Sequence, residues 1–167
     1  MIFVTVGSTV KDFSRLLQWV DYLLEEDLLH DVVAQVGSSA YQPTNYAAYR
    51  FLPRSRMSEL IEAAEFVVSH GGAATLDECL GLRRKVIVVP RRAEFGESPD
   101  NHQFEIAEHL ADLNRVLLAR DLNELRCRVT EVADWQPVFS SKGSTRMGIV
   151  AAIHEFMERT IHEKRLS

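Results

Sequence analysis

Apolar residues in this chain come in short unbroken runs, separated by longer stretches in which they recur every three or four positions. Met1–Val6, Val32–Val36, Phe66–Val68 and Lys85–Val89 are unbroken runs, and Tyr49–Leu52 and Arg115–Ala119 are weaker ones. A continuous apolar run bounded by turn residues is the pattern of a strand covered on both faces. Between the runs the period changes to that of a helix. Leu16, Leu17, Val20, Leu23 and Leu24 form one stripe over Asp12–Glu26. Met57, Leu60, Ile61 and Ala64 form another, with Ser55 as its expected cap. A third helix follows Gly72 and ends near Gly81, a residue suited to the position just past a helix. Ile106, Ala107 and Leu110 predict a helix over His102–Ala111, and Asp121 caps one running to Val132. Ile149, Val150, Ile153, Phe156 and Met157 mark a last helix over Thr145–Glu163. Ala40–Tyr46 and Ala133–Ser144 have no period and read as irregular.

Strand and helix therefore alternate along the chain, which predicts an α/β, Rossmann-like, doubly wound parallel sheet. We expect one domain over residues 1–167, with residues 145–163 as a C-terminal amphipathic helix. Composition is ordinary for a globular domain, with 46% hydrophobic and 26% charged residues. The net charge of −5 argues against a nucleic-acid binder. No apolar run approaches the roughly 18 residues that span a bilayer, and the N-terminus lacks the pattern of a signal peptide. Cys79 and Cys127 are expected to be packed free thiols in a reducing, cytosolic compartment. No Cys/His cluster has metal-ligand spacing.

In a doubly wound sheet, ligands bind beyond the carboxyl ends of the strands. Three polar, glycine-bearing loops should converge there: Gly7-Ser8-Thr9, His70-Gly71-Gly72-Ala73, and the segment from Arg91 to Gln103. A strand that runs through glycine into a helix offers backbone N–H groups and the positive end of the helix dipole to an anion. Thr75 lies in the first turn of that helix, and Glu78 lies about one turn further on, where a carboxylate accepts hydrogen bonds from ribose hydroxyls. Each turn taken alone is equally well a plain βα connection, and His70 equally a structural histidine. Convergence of the three turns is what points to a phosphate-bearing ligand.

The residues Phe3-Val4-Thr5-Val6-Gly7-Ser8-Thr9, Ser69-His70-Gly71-Gly72-Ala73-Ala74-Thr75 with Glu78, and Asp100-Asn101-His102-Gln103 resemble the C-terminal, nucleotide-sugar-binding half of GT-B glycosyltransferases of family 28. The likeness runs from Met1 to about Glu131. It is strongest to the small subunits of split glycosyltransferases. Val88-Val89-Pro90-Arg91-Arg92-Ala93-Glu94-Phe95-Gly96-Glu97 resembles the bacterial exopolysaccharide and capsule group in particular. The resemblance implies that Gly7, Ser8 and Thr9 lie beside a diphosphate. It implies that the backbone at Phe51 and Leu52 reads a uracil edge, that His70, Gly71, Gly72 and Ala73 hold the phosphates, and that Glu78 binds the ribose. Asn101, His102 and Gln103 belong to the motif whose last two residues contact sugar hydroxyls. Arg91 and Arg92 either offset diphosphate charge, or meet a sugar carboxylate, or are simply solvated.

The resemblance further implies inverting, metal-independent transfer of a hexose from a UDP-sugar to a lipid-linked acceptor, with no other cofactor. The acceptor site and the catalytic base are expected on a membrane-associated partner subunit, which recruits this cytoplasmic chain to the inner face of the membrane. The C-terminal helix either docks on that partner or packs on its own domain. A homodimer in isolation is a further expectation. The rival readings are a non-catalytic nucleotide-binding subunit and a sugar-nucleotide epimerase-like enzyme. A receiver-type domain is disfavoured, because Gly7-Ser8-Thr9 stands where its acidic cluster belongs.

Overall fold

Six strands lie parallel in a single sheet of order β3-β2-β1-β4-β5-β6 in a computed structural model that describes residues 1–139. The strands are β1 (Ile2–Thr5), β2 (Val32–Gln35), β3 (Ala47–Tyr49), β4 (Phe66–Ser69), β5 (Lys85–Val88) and β6 (Leu117–Leu118). The helices are α1 (Ser14–Glu25), α2 (Arg54–Ala63), α3 (Ala73–Gly81), α4 (His102–Asp112) and α5 (Leu122–Glu131). The expected helix over 145–163 lies outside the described residues.

Alternation along the strands sends side chains into two separate cores. Ile2, Val4 and Val6 pack with Phe13, Leu16, Leu17, Val20 and Leu23 around α1, and with Leu125 and Val129 of α5. Phe3, Val67, Val86 and Val88 pack on the other face with Leu60 and Ile61 of α2, Leu76 and Leu80 of α3, and Ile106 and Leu110 of α4. Both faces of the central strands are thus dry, which is why their sequences read as unbroken apolar runs. The chain begins in the middle of the sheet, builds outward to β3, then returns beside β1 as β4. The crevice above the β1/β4 pair is the switch point at which such sheets bind ligands.

Four local expectations are corrected. The third strand covers Ala47–Tyr49, so Phe51 and Leu52 run past its end. Its partner β2 turns away at Gly37 (φ 54°), and Gly37 N–H donating to Arg50 O is the last rung. Pro53, and not Ser55, occupies the N-cap of α2, because its fixed φ of −57° suits that position. Gly81 is the last helical residue of α3, and the left-handed residue after the helix is Arg83 (φ 54°). Cys79 is buried as expected, but Cys127 is exposed on the outer side of α5, two residues beyond the buried Leu125. Asp121 does cap α5, its carboxylate accepting from Glu124 N–H at 2.8 Å.

Candidate functional site

A buried polar rung crosses the carboxyl end of the sheet. Gln35, Thr5 and Ser69 are neighbours in the strand register, and all three side chains are buried among apolar ones. Buried polar groups must be paired, and these are. Thr5 Oγ1 donates to Gln35 Oε1 at 2.7 Å. Gln35 Nε2 donates in turn to Gly7 O and Arg50 O, both at 3.0 Å, which ties the β1–α1 loop to the end of β3.

The same two hydroxyls build twin turns. Thr5 Oγ1 accepts from Gly7 N–H at 3.3 Å, and Ser69 Oγ accepts from Gly71 N–H at 3.3 Å. Gly7 (φ 80°) and Gly71 (φ 88°) have backbones that L side chains rarely adopt. Each strand therefore ends in a hydroxyl residue and a left-handed glycine two positions later. The adjacent βα loops leave the sheet side by side.

His70 lies between them. A Cβ on Gly7 would stand 2.5 Å from His70 Nε2, and one on Gly72 would stand 2.3 Å from it. The backbone of both turns can approach the imidazole only because both residues are glycine. The ring nitrogen Nδ1 lies 3.4 Å from Thr5 O, which places the proton there. Burial, and secondarily the positive charge of Arg91, pulls the His70 pKa down to about 4, so the ring is neutral at physiological pH. It contributes shape and brings no charge of its own.

Helix α3 opens directly after this turn. No side chain caps it, its first turn carries no acid, and Ala73 and Ala74 are exposed. Its N-terminal N–H groups and dipole therefore face the crevice without a competing carboxylate, the arrangement that suits an anion. Thr75 is half-buried in the first turn. Glu78 stands one turn along on the side facing α2, where its carboxylate accepts from the Ser58 hydroxyl.

The β5–α4 loop closes the third side. It contains a single 3-10 turn over Ala93–Phe95 and a left-handed Gly96 (φ 71°). Asn101 Oδ1 accepts from Ala93 N–H at 3.1 Å, and Asp100 Oδ1 accepts from His102 N–H at 3.1 Å where α4 begins. His102 Nδ1 lies 3.3 Å from Glu105 Oε2 and the side chain is partly exposed. Gln103 is brought next to the second glycine turn, its carbonyl 3.8 Å from the Cβ position of Gly71. Its side-chain Oε1 is buried and accepts no hydrogen bond among the described residues.

Among the predicted residues, Gly7, His70, Gly71, Gly72 and Gln103 are brought together, with Ala73 and Thr75 at the mouth of α3. Ser8 and Thr9 are exposed on the first loop. Phe51 is exposed, whereas Leu52 packs against the α2–α3–α4 core. The two arginines part company. Arg91 is not a solvated loop residue: it is 1% exposed and both of its Nη atoms are bonded to backbone carbonyls. Arg92 stays partly exposed, stacked 4.8 Å above Phe104 and paired with Glu94. Sequence reasoning missed Thr5, Gln35, Arg15 and Glu97. A polar residue one position before the end of each apolar run was the available signal for the first two. Arg15 and Glu97 are 82 residues apart and carry no local signal.

The family model described as glycosyltransferase family 28 C-terminal domain matches residues 1–136. The chain belongs to this family. It is 28% identical over 91 residues to the UDP-N-acetylglucosamine transferase subunit ALG13 of Candida albicans, covering 54% of this chain and 30% of that protein. It is 28% identical over 112 residues to a UDP-N-acetylglucosamine–N-acetylmuramyl-(pentapeptide) pyrophosphoryl-undecaprenol N-acetylglucosamine transferase of a Wolbachia from Drosophila simulans, covering 64% and 32%. The family 28 chain thus spans about a third of the length of these curated relatives. Among solved structures, the solution structure of ALG13 superimposes with a TM-score of 0.63 at 20% identity, covering 92% of this chain and 96% of that one. The kitacinnamycin glycosyltransferase superimposes with a TM-score of 0.57 at 18% identity, covering 94% and 39%. These likenesses establish a fold shared with GT-B glycosyltransferases. Among the described residues no helix is long and apolar enough to cross a membrane.

Proposed function

We propose that this family 28 domain is the donor-binding part of a two-component inverting glycosyltransferase. It takes a UDP-sugar and passes the hexose to a lipid-linked acceptor held by a membrane-associated partner. The observation that carries the reading is the uncapped N-terminus of α3 beside two glycine turns packed on a neutral His70. That surface offers oriented N–H donors and a helix dipole to a diphosphate. The adjoining groups suit the rest of a nucleotide sugar. Glu78 offers a carboxylate to ribose hydroxyls, and Gln103, whose backbone carbonyl adjoins the Gly71 turn, carries a buried acceptor Oε1 without a partner among the described residues. Backbone atoms past Arg50 border the far side and suit the uracil edge.

In the transfer, an acceptor hydroxyl attacks the anomeric carbon, its C–O bond forming as the bond from that carbon to the diphosphate breaks. The hydroxyl proton goes to a base on the partner. The charge that develops on the departing UDP is met by the fixed dipoles of α3 and the glycine turns, and this difference between ground and transition state is what lowers the barrier. The site requires no metal in this reading. The chain works in the cytoplasm at the inner face of the membrane, and exopolysaccharide or glycolipid assembly is the process it serves.

Calorimetric titration of UDP, UMP and a panel of UDP-sugars, with and without Mg²⁺, tests this. Binding of UDP that is tighter than UMP and indifferent to Mg²⁺ is expected, and the order among the sugars identifies the hexose. Absence of UDP binding both to the chain and to its co-expressed partner complex would reject the donor role.

A further inference from the structure

We infer that Arg91, Glu97 and Arg15 are positioning residues that lock the β1–α1 loop to the β5–α4 loop, so that both meet the donor as one preformed surface; the inference rests on the donor-binding reading above. Arg91 grips both ends of the first glycine turn. Its Nη2 donates to Val6 O at 2.8 Å, and its Nη1 donates to Lys11 O at 3.2 Å and Asp12 O at 3.0 Å. Gly7, Ser8 and Thr9 lie between those carbonyls, so one side chain brackets the turn. The same Nη1 donates to Glu97 O at 3.1 Å, within the β5–α4 loop.

Glu97 completes the link. Its carboxylate is nearly inaccessible and receives a two-point bond from Arg15, with Nε to Oε1 and Nη2 to Oε2 both at 2.8 Å. It also accepts from Arg92 N–H at 2.9 Å, and Arg15 Nη2 reaches Pro90 O at 3.1 Å. Arg15 stands in the first turn of α1, immediately after the β1–α1 loop. The Phe13 ring lies 4.7 Å from the Arg91 guanidinium and 5.2 Å from that of Arg15. Two buried or half-buried cations and one buried anion are costly to assemble; here both Glu97 oxygens and both Arg91 Nη atoms are hydrogen-bonded, and the buried Arg91 Nε alone of these is without a partner among the described residues. A planar guanidinium supplies this fork-shaped set of donors, and an ammonium does not. The residues that meet the ligand are on the loops, and the three charges behind them set the distance between those loops.

A simple field effect and a positioning role differ in sign. Removing the Glu97 charge makes the site more positive, and field alone would then tighten UDP. Loss of the lock would weaken it. The test uses the full chain carrying Glu97→Gln or Arg15→Lys, with UDP affinity by calorimetry, the thermal midpoint, and amide spectra of Gly7, Ser8 and Thr9 without nucleotide. We expect UDP to bind roughly tenfold more weakly to both variants, with the three amides shifted. A merely structural role would lower the midpoint and leave the affinity of the folded protein unchanged. Tighter UDP binding by Glu97→Gln, or wild-type affinity with unmoved amides in Arg15→Lys, overturns the inference. Should Glu97→Gln fail to fold, the half-buried Arg15→Lys carries the same readouts. Should neither the wild-type chain nor its co-expressed partner complex bind UDP, the donor reading fails on its own, and the amide shifts alone decide whether the loops are coupled.

Discussion

His70 Nε2 stands 2.5 Å from the point a Cβ on Gly7 would occupy, although the two residues are 63 positions apart in the chain. The imidazole fills the gap left by the missing side chain and sets the separation of the first two βα turns. Gly72, whose Cβ position would meet the same edge of the ring, has an ordinary negative φ of −65°, so contact alone demands glycine there. Gly72→Ala is expected to cost about 1–3 kcal/mol, the usual penalty of overpacking. Gly7→Ala should cost at least as much, because strain at φ 80° adds to the contact. Gly81→Ala is the control. Nothing lies within 4 Å of its Cβ position, and alanine at a helical site should stabilise by roughly 0.5–1 kcal/mol. Urea unfolding of the three variants checks the order, and a destabilised Gly81→Ala would refute this account of the glycines.

Protonation of His70 opposes folding. Its folded pKa of about 4 lies below the ordinary value of 6.5, first through burial and then through Arg91. Above pH 6.5 the ring is neutral in both folded and unfolded chains and costs nothing. As the pH falls toward 4, the unfolded chain takes up a proton that the folded one refuses, and stability declines. Between pH 7 and pH 5 this histidine should remove about 2 kcal/mol. Wild type and His70→Gln, compared by denaturant unfolding at each pH, isolate that slope from the carboxylates. Parallel pH profiles for the two proteins would show that His70 does not carry the effect.

Glu78 is held by Ser58 on the neighbouring helix α2, whose hydroxyl donates to its carboxylate. Glu78→Ala should weaken UDP by roughly 1–3 kcal/mol, the range for a lost hydrogen bond to a charged group. Affinity for inorganic diphosphate should hardly change, because that ligand has no ribose. Equal losses for both ligands would move Glu78 away from the ribose.

The two thiols should separate by reactivity. Burial, followed by the adjacent Glu78 charge, pushes Cys79 up to about 12, whereas Cys127 is exposed. Titration of the native protein with a thiol-reactive chromophore is expected to modify one cysteine quickly, and to reach the second only after denaturation. Mass mapping should place the fast label on Cys127. Rapid labelling of Cys79 would show that α3 opens on the timescale of the reaction.

The sheet and its helices were legible because periodicity is local. An apolar run such as Val67-Val68 or a stripe such as Leu16, Leu17, Val20 and Leu23 states its own burial, and the glycine at the end of a strand states where the chain must turn. The glycine turns at the carboxyl edge were legible for the same reason. Family membership, expected from three short motifs, is shown by the match over residues 1–136. Boundaries were less secure where a partner decides them. β3 ends at Tyr49 because β2 turns away from it, a fact absent from the residues Arg50-Phe51-Leu52 themselves.

Charge placement was decided by tertiary structure alone. Arg91 and Arg92 are adjacent and chemically identical, yet one is buried against carbonyls of a segment 80 residues away and the other stacks on Phe104 near the surface. Both stand in the loop after β5, where no period fixes the direction of a side chain, so adjacency in a sequence says nothing about which arginine is spent on the scaffold. Arg15 finds Glu97, and His70 finds Gly7, only once the parallel sheet has laid their loops side by side. The sequence by itself determined which groups lie on turns at the carboxyl edge. Long-range packing determined which of those groups hold the turns together and which face the crevice, because a hydrogen bond depends on distance in space and not along the chain.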